Sequence, residues 1–290
     1  MPPFRSGDFV IGANLPWIRY GIDFGANLWR RHGGVAQSDT LALLDDKLAQ
    51  VAAAHISIVR WFLLCDGRAG IEFSADSRPR GLDAHVFPDM DAAIDAVGRH
   101  GLRVMFVLVD FGWCKRATHV NGVQLGGRRR VLKERSSRQL LLDRVFRPIL
   151  QRYREDQTIA AWDIINEPEW VTFGLGSTNP ASGLTRAELR AFIEESASLI
   201  HEVTDHPVTV GSAGSRWRSF YRRLSLDFDQ VHWYDALAKA PPLEMPVEKL
   251  GFDRPVLLGE FPTSASARSV NEILETARTA GYVGAFEWPS

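Results

Sequence analysis

The sequence predicts an α/β fold made of one (β/α)₈ barrel, on three observations. Short apolar runs alternate with longer amphipathic segments, the pattern of parallel β/α units. The runs number eight. The chain has 290 residues, within the roughly 200 to 400 that one such barrel occupies. Apolar residues make up 45% and charged residues 24%, close to the globular average, which speaks against a disordered or fibrous chain.

The eight runs fall at 9–13, 56–62, 103–109, 159–165, 208–211, 230–233, 256–258 and 284–287. Several are almost wholly apolar, as strands covered on both faces should be. Between them, segments 40–54, 88–100, 137–154, 185–204 and 269–280 carry apolar residues at helical spacing. Ser137 and Thr185 read as helix starts, while Gly101 and Gly281 read as helix-ending glycines that lead into the third and eighth strands. The fifth to seventh units are short, so partial helices are expected there. After the eighth strand only Pro289 and Ser290 remain, so the final helix is expected to be short or absent. That should expose an apolar groove on the first and seventh helices, for a dimer partner or the N-terminal segment to cover. No linker or composition shift divides residues 1–290, which read as a single catalytic domain.

Composition excludes several functions. A formal net charge of -1 offers no concentrated basic surface for nucleic acid. The local cluster Arg128, Arg129 and Arg130, with Lys133 and Arg135, reads as a solvated loop. Runs such as Val104 to Val109 are far shorter than the roughly 20 residues that span a bilayer, so no membrane association is expected. The first residues lack a basic segment followed by an apolar stretch, so no signal peptide is read. As written the chain reads as cytoplasmic, and as secreted or periplasmic if its N-terminus was trimmed. No Cys/His spacing resembles a metal site, and no cofactor or metal is expected. Cys65 and Cys114 fall in loops after adjacent strands, a placement that permits a disulfide if their Cα atoms come within about 7 Å.

Barrel enzymes carry their reactive groups at the C-terminal ends of the strands, so the polar residues that end each apolar run are the candidates. The fourth run ends in Asn166-Glu167-Pro168, and the seventh is followed by Gly259-Glu260-Phe261. With His232-Trp233-Tyr234 after the sixth run, Arg60 on the second and Trp288 after the eighth, the chain resembles glycoside hydrolase clan A, and most of all family 5. The likeness extends through the whole strand order and implies a TIM barrel. It also implies retaining cleavage of β-linked glycans of glucan or mannan type, with Glu167 as acid/base and Glu260 as nucleophile. Arg60 and Tyr234 would hold Glu260 ionised, Asn166 would grip the sugar 2-hydroxyl, His232 would tune Glu167, and Trp288 would floor the -1 subsite. One departure lies after the third strand, where family 5 often has a histidine and this chain reads Asp110-Phe111-Gly112-Trp113-Cys114.

Elementary chemistry agrees with the resemblance. Retention needs two carboxyl groups about 5 Å apart, one protonated to release the leaving oxygen and one ionised to attack the anomeric carbon. Carboxyls that close cannot easily both ionise, so their environments must separate them. Aromatic rings would stack on the apolar faces of sugars, and Trp17, Trp113 and Trp170, which follow the first, third and fourth strands, are candidates for neighbouring subsites. Trp29, Trp61, Trp162 and Trp217 read as packing. Asp163, Glu169, Asp235 and Glu287 receive no catalytic role, because alternation along a strand aims some of them away from the cavity. Segments 112–135 and 172–183 are expected to shape the cleft. The partner is an oligosaccharide or polysaccharide, and the chain is a monomer or homodimer. Two other functions use the same residues: a transglycosylase with the same glutamates, and a carbohydrate-binding barrel that has lost catalysis.

Overall fold

The computed structural model describes residues 4, 5, 7, 9–179, 183–235, 241–264 and 266–289. Its frame is a closed barrel of eight parallel strands: β1 (Val10–Asn14), β2 (Ile58–Phe62), β5 (Arg103–Asp110), β8 (Ile159–Asn166), β9 (Val208–Ser212), β10 (Asp229–His232), β11 (Val256–Pro262) and β12 (Gly284–Trp288). Each expected run became one of these, and the closure of β1 on β12 runs in register from Val10 beside Gly284 to Ala13 beside Glu287. Two antiparallel hairpins on the loops add β3 (Ile71–Phe73) with β4 (Pro79–Leu82), and β6 (Thr118–Val120) with β7 (Val123–Leu125).

The helices cover the outside. They are α1 (Ser38–Ala53), α2 (Val86–Arg99), α3 (Arg129–Lys133), α4 (Arg135–Leu141), α5 (Arg147–Arg152), α6 (Arg186–Val203), α7 (Arg218–Tyr221), α8 (Val247–Leu250) and α9 (Val270–Thr279). The N-termini of α6 and α9 carry reciprocal capping boxes, Thr185 with Glu188 and Ser269 with Glu272, each satisfying two otherwise orphaned amides. Gly101 and Gly281 adopt left-handed φ values of 70° and 90° just past α2 and α9, as helix-ending glycines do.

The third unit departs from the expected single helix at 137–154. Ser137 is not its start: α4 begins at Arg135, and a π-turn over Leu142–Phe146 separates it from α5. Pro148, in the first turn of α5, removes an amide that would have continued the ladder, and the backbone widens there. The basic run is not a solvated loop either. Residues 129–133 form α3, and Arg128 is buried with its guanidinium 3.7 Å from the Phe73 ring centroid. Cys65 and Cys114 are buried free thiols, so no disulfide links them.

No helix follows β12 among the described residues. Beside it the Phe9 ring lies under the Arg278 guanidinium of α9. A dimer partner or the N-terminal segment was expected to cover a groove there, and of that segment only residues 4, 5 and 7 are described before Phe9. Phe4 packs its ring 4.4 Å from that of Phe228 and closes the lower end of the barrel with Ile58, Met105, Ala161, Leu257 and Phe286. Most of the first eight residues, 180–182 of the expected cleft segment 172–183, and Ser290 lie outside the described residues.

The barrel interior is therefore apolar at its base and becomes polar one layer higher, where Asn14, Arg60, Asp163 and Gln230 are all buried. The loops above are tied to the helices by buried carboxylates. Asp89 of α2 accepts the amides of Gly25, Gly34 and Ala36, at 2.8, 2.8 and 2.9 Å. Replacing Asp89 by Ala leaves three amides unpaired. Thermal denaturation should show a loss of about 3 kcal/mol or more, since each orphaned buried donor costs about 1–3 kcal/mol. A change below 1 kcal/mol would mean that water replaces the carboxylate.

Candidate active site

Three strand pairs lose regular register where the polar residues gather: β8 with β9 between Asp163 and Asn166, β10 with β11 between Val231 and His232, and β11 with β12 between Leu258 and Phe261. Such irregularities re-aim side chains at barrel rims. In β8, alternation sends Trp162 and Ile164 into the outer core and Asp163 into the barrel. Glu167 then leaves the strand at φ 45°, ψ 47°, a left-handed conformation for a non-glycine residue, which costs about 1–2 kcal/mol. Its amide donates to the Gly211 carbonyl at 2.7 Å, and Pro168 after it disfavours right-handed helix.

The two glutamates meet across the barrel. One carboxylate oxygen of Glu167, one of Glu260 and a ring nitrogen of His232 all lie within 4.8 Å of one another. Arg60 donates to Glu260 Oε1 at 2.7 Å and Tyr234 donates to Glu260 Oε2 at 2.9 Å. His232 Nδ1 lies 2.8 Å from Glu167 Oε1 and 3.4 Å from Glu260 Oε2, and Trp170 Nε1 donates to Glu167 Oε2 at 2.9 Å. The trio has the spacing of a metal cage, yet Arg60 and Tyr234 already occupy both oxygens of Glu260, so it forms a hydrogen-bonded charge cluster instead.

Arg60 is fully buried and also donates to Asp163 Oδ2 through Nε and Nη2, at 3.0 and 2.8 Å, to Asn14 Oδ1 at 3.0 Å and to Asn166 Oδ1 at 2.7 Å. Burial pushes its guanidinium down, and the charges of Asp163 and Glu260 more than reverse this, so its pKa is raised. Burial and the Glu260 charge push Tyr234 far up, which keeps it a protonated donor. Burial pushes Glu260 up, against the pull of His232, Arg60 and Tyr234. Burial also pushes Glu167 up, but with His232 as a cation its hydrogen bond and charge outweigh that, and the carboxyl falls below its ordinary value. The protonation of His232 therefore decides which way the pair is polarised.

Above these groups lies a cleft of about 830 Å³, lined by Trp17, Trp170 and Trp288 together with Asn166, Glu167, Tyr234 and Glu260. One expected assignment changes. Trp113 does not line the cleft: the short 3₁₀ turn Phe111–Cys114 turns it into the core, fully buried, with Nε1 donating to the Leu64 carbonyl at 3.3 Å, while Phe111 and Gly112 face the opening. Arg60 and His232, expected to act on the glutamates, sit beneath them, fully buried or nearly so and within hydrogen-bond reach, and do not face the cleft. Trp61 and Trp162 are core residues as read, and Glu169 is buried against Ser212 and Tyr221.

Asn14, Gln230 and the pairing of Asp163 with Arg60 were not read from sequence. The available signal was a polar residue within or just after an apolar run, as at Asn14 and Gln230. Asp110 is a further addition. It ends β5 facing the cleft, its Oδ2 accepting from Asn166 Nδ2 at 3.0 Å and its Oδ1 from the Gly112 amide at 2.7 Å.

Comparisons place these features among known proteins. No family model matches the chain. A mannan endo-1,4-β-mannosidase of Mytilus edulis is 27% identical over 97% of this chain and 83% of its own length. Another from Cryptopygus antarcticus is 22% identical over 97% of this chain and 80% of its own length. Among solved structures, the endo-1,4-β-mannanase of Eisenia fetida superposes with a TM-score of 0.81 at 23% identity, covering 98% of this chain and 86% of that one. The β-1,4-D-mannanase of Cryptopygus antarcticus gives a TM-score of 0.82 at 20% identity, covering 98% and 85%. These superpositions carry the fold.

Burial pushes the Asp110 carboxyl up to about 7, from an ordinary value of 3.8. A carboxyl raised on folding contributes stability that is whole below pH 3.8 and is lost as the pH rises to about 7. Melting temperature should therefore decline less across that window in Asp110→Asn than in the parent protein. Parallel profiles would show that Asp110 is ionised throughout. Strand order, rim motifs and relatives agree in a likeness to the glycoside hydrolases of clan A, most of all family 5.

Proposed function

We propose that the chain hydrolyses internal β-1,4 links of mannan with retention of configuration, using Glu260 as nucleophile and Glu167 as acid/base. The observation that carries this reading is the approach of the two carboxyl groups, with oxygens within 4.8 Å. Retaining enzymes hold them about 5–5.5 Å apart, whereas inverting enzymes separate them by about 6.5–9.5 Å to admit a water. The donors favour these roles over the reverse. Glu260 takes an ionic hydrogen bond from Arg60 and one from Tyr234, which suits a carboxylate that must stay charged. Glu167 takes none from Arg60 and faces the cleft beside Trp170.

In the first step Glu260 attacks the anomeric carbon while Glu167 gives its proton to the glycosidic oxygen, leaving a glycosyl ester on Glu260. In the second, Glu167 takes a proton from water, whose oxygen attacks the same carbon and frees Glu260. Asn166 is the candidate for the 2-hydroxyl of the -1 sugar, and Trp288, Trp17 and Trp170 for stacking along the cleft. Mannan follows from the relatives in Mytilus edulis and Cryptopygus antarcticus, and internal cleavage from their names and from a cleft with room for more than one sugar. No feature of the site favours the transglycosylase or the non-catalytic barrel.

Two variants test the assignment. Glu167→Ala should lose about 10²–10⁴-fold on mannopentaose, the usual worth of a general acid, and azide should rescue it with a β-glycosyl azide as product. Glu260→Ala with azide should give the α-product. The opposite stereochemistry would exchange the roles, and wild-type inactivity on mannan, glucan and aryl β-glycosides alike would remove the hydrolase reading.

A further inference from the structure

The reading above needs Glu167 to hold a proton at the pH of catalysis, yet a cationic His232 would strip it away. The residue on the far side of the imidazole bears on this conflict. Gln230, buried in β10, donates through Nε2 to Asp163 Oδ2 at 3.0 Å, and the same nitrogen lies 3.4 Å from His232 Nε2. An amide nitrogen has two hydrogens and no acceptor capacity. One hydrogen goes to Asp163, and the second points at the ring nitrogen.

The amide cannot turn over, because its oxygen would then face Asp163 Oδ2 across a hydrogen-bond distance. Among the described residues its Oε1 has no hydrogen-bond partner, so the amide is oriented by its hydrogens alone. The side chain is also clamped from both neighbouring strands. A Cβ on Gly259 would come within 2.4 Å of Gln230 Cγ, and one on Gly211 within 2.9 Å of its Nε2. With Nε2 of His232 accepting, the ring proton must sit on Nδ1, where it donates to Glu167 Oε1.

We infer that Gln230 is a positioning residue that holds His232 as the neutral Nδ1–H tautomer, so that Glu167 receives a hydrogen bond from the ring without a positive charge beside it. The chain of contacts runs from Arg60 through Asp163 and Gln230 to His232 and Glu167, behind the carboxylates and out of reach of the sugar. All the charged or titratable groups in this network are engaged: Glu167 and Glu260 face Nδ1, Asp163 and Arg60 stand behind Gln230, and Tyr234 lies on Glu260. The neutral tautomer removes the charge that would otherwise lower Glu167, which reconciles the electrostatics of the site with the proposed acid.

The inference rests on the acid role of Glu167, so its test has an arm independent of activity. In ¹⁵N-histidine NMR of the whole protein, with His232 assigned by its loss in His232→Asn, Nδ1 should be protonated and Nε2 unprotonated across the active pH range. An imidazolium or an Nε2–H tautomer there would overturn the lock, whatever the enzyme does. Gln230→Met removes the donor. Gln230→Glu sets a carboxylate against Nε2 and should draw a proton onto it, giving an imidazolium.

In both variants the alkaline limb of kcat/KM on mannopentaose should move to lower pH by about one unit. On its alkaline side, the loss should be about tenfold larger than on 2,4-dinitrophenyl β-mannoside, whose leaving group needs no proton. Equal losses on both substrates with an unmoved limb would reduce Gln230 to a packing residue. An inactive wild type with the expected NMR signature would sink the hydrolytic reading and leave the lock standing.

Discussion

A guanidinium at the centre of a barrel is costly unless every donor is met, because the desolvation of a buried ion is repaid only by well-placed partners. Arg60 meets that condition with Asp163, Glu260, Asn14 and Asn166, drawn from three different strands. The chemistry above depends on this arrangement. Arg60 hydrogen-bonds one glutamate and not the other, orients Asn166, and ties Asp163 so that its remaining lone pairs serve Gly211 and Gln230. A layer below, the interior is apolar and closed by Phe4 and Phe228. A layer above, it opens to solvent among tryptophans. The ion lies between the two, where the dielectric is low and its charge acts strongly on neighbouring carboxyls.

Two carboxyls in hydrogen-bond range of one histidine form a coupled unit. Their separation of roles must come from asymmetry in what surrounds them. Glu260 faces the cation and the phenol, while Glu167 faces the indole of Trp170, the cleft and a ring whose charge state is set from behind. The strained backbone at Glu167 belongs to the same design. A left-handed residue at the strand end turns its carboxyl toward the cleft, and the hydrogen bond from its amide to the Gly211 carbonyl offsets part of the conformational cost.

Much of this was legible in the sequence. All eight strands were, because parallel strands covered on both faces leave near-continuous apolar runs, and the two glutamates followed from where those runs end. The helix start at Thr185 was also visible, because a capping residue is a local signal. Other features depend on context that one sequence does not carry. The hairpin around Asn121 and Gly122, with φ values of 46° and 81°, had a readable turn signal in that Asn-Gly pair, but its strands are only three residues long. Trp113 was misplaced because one 3₁₀ turn reverses which side chain faces the cleft. Gln230 was passed over because a polar residue in a strand points into the barrel or out to the helices, and only the closed register decides between these.

The most direct test of the account is to trap its covalent intermediate. Incubation with 2-deoxy-2-fluoro-β-mannosyl fluoride, which slows both steps but more severely the second, followed by proteolysis and mass spectrometry, should place one fluorosugar on the peptide that contains Glu260. A label on Glu167, or time-dependent inactivation with the label on neither glutamate, would contradict it.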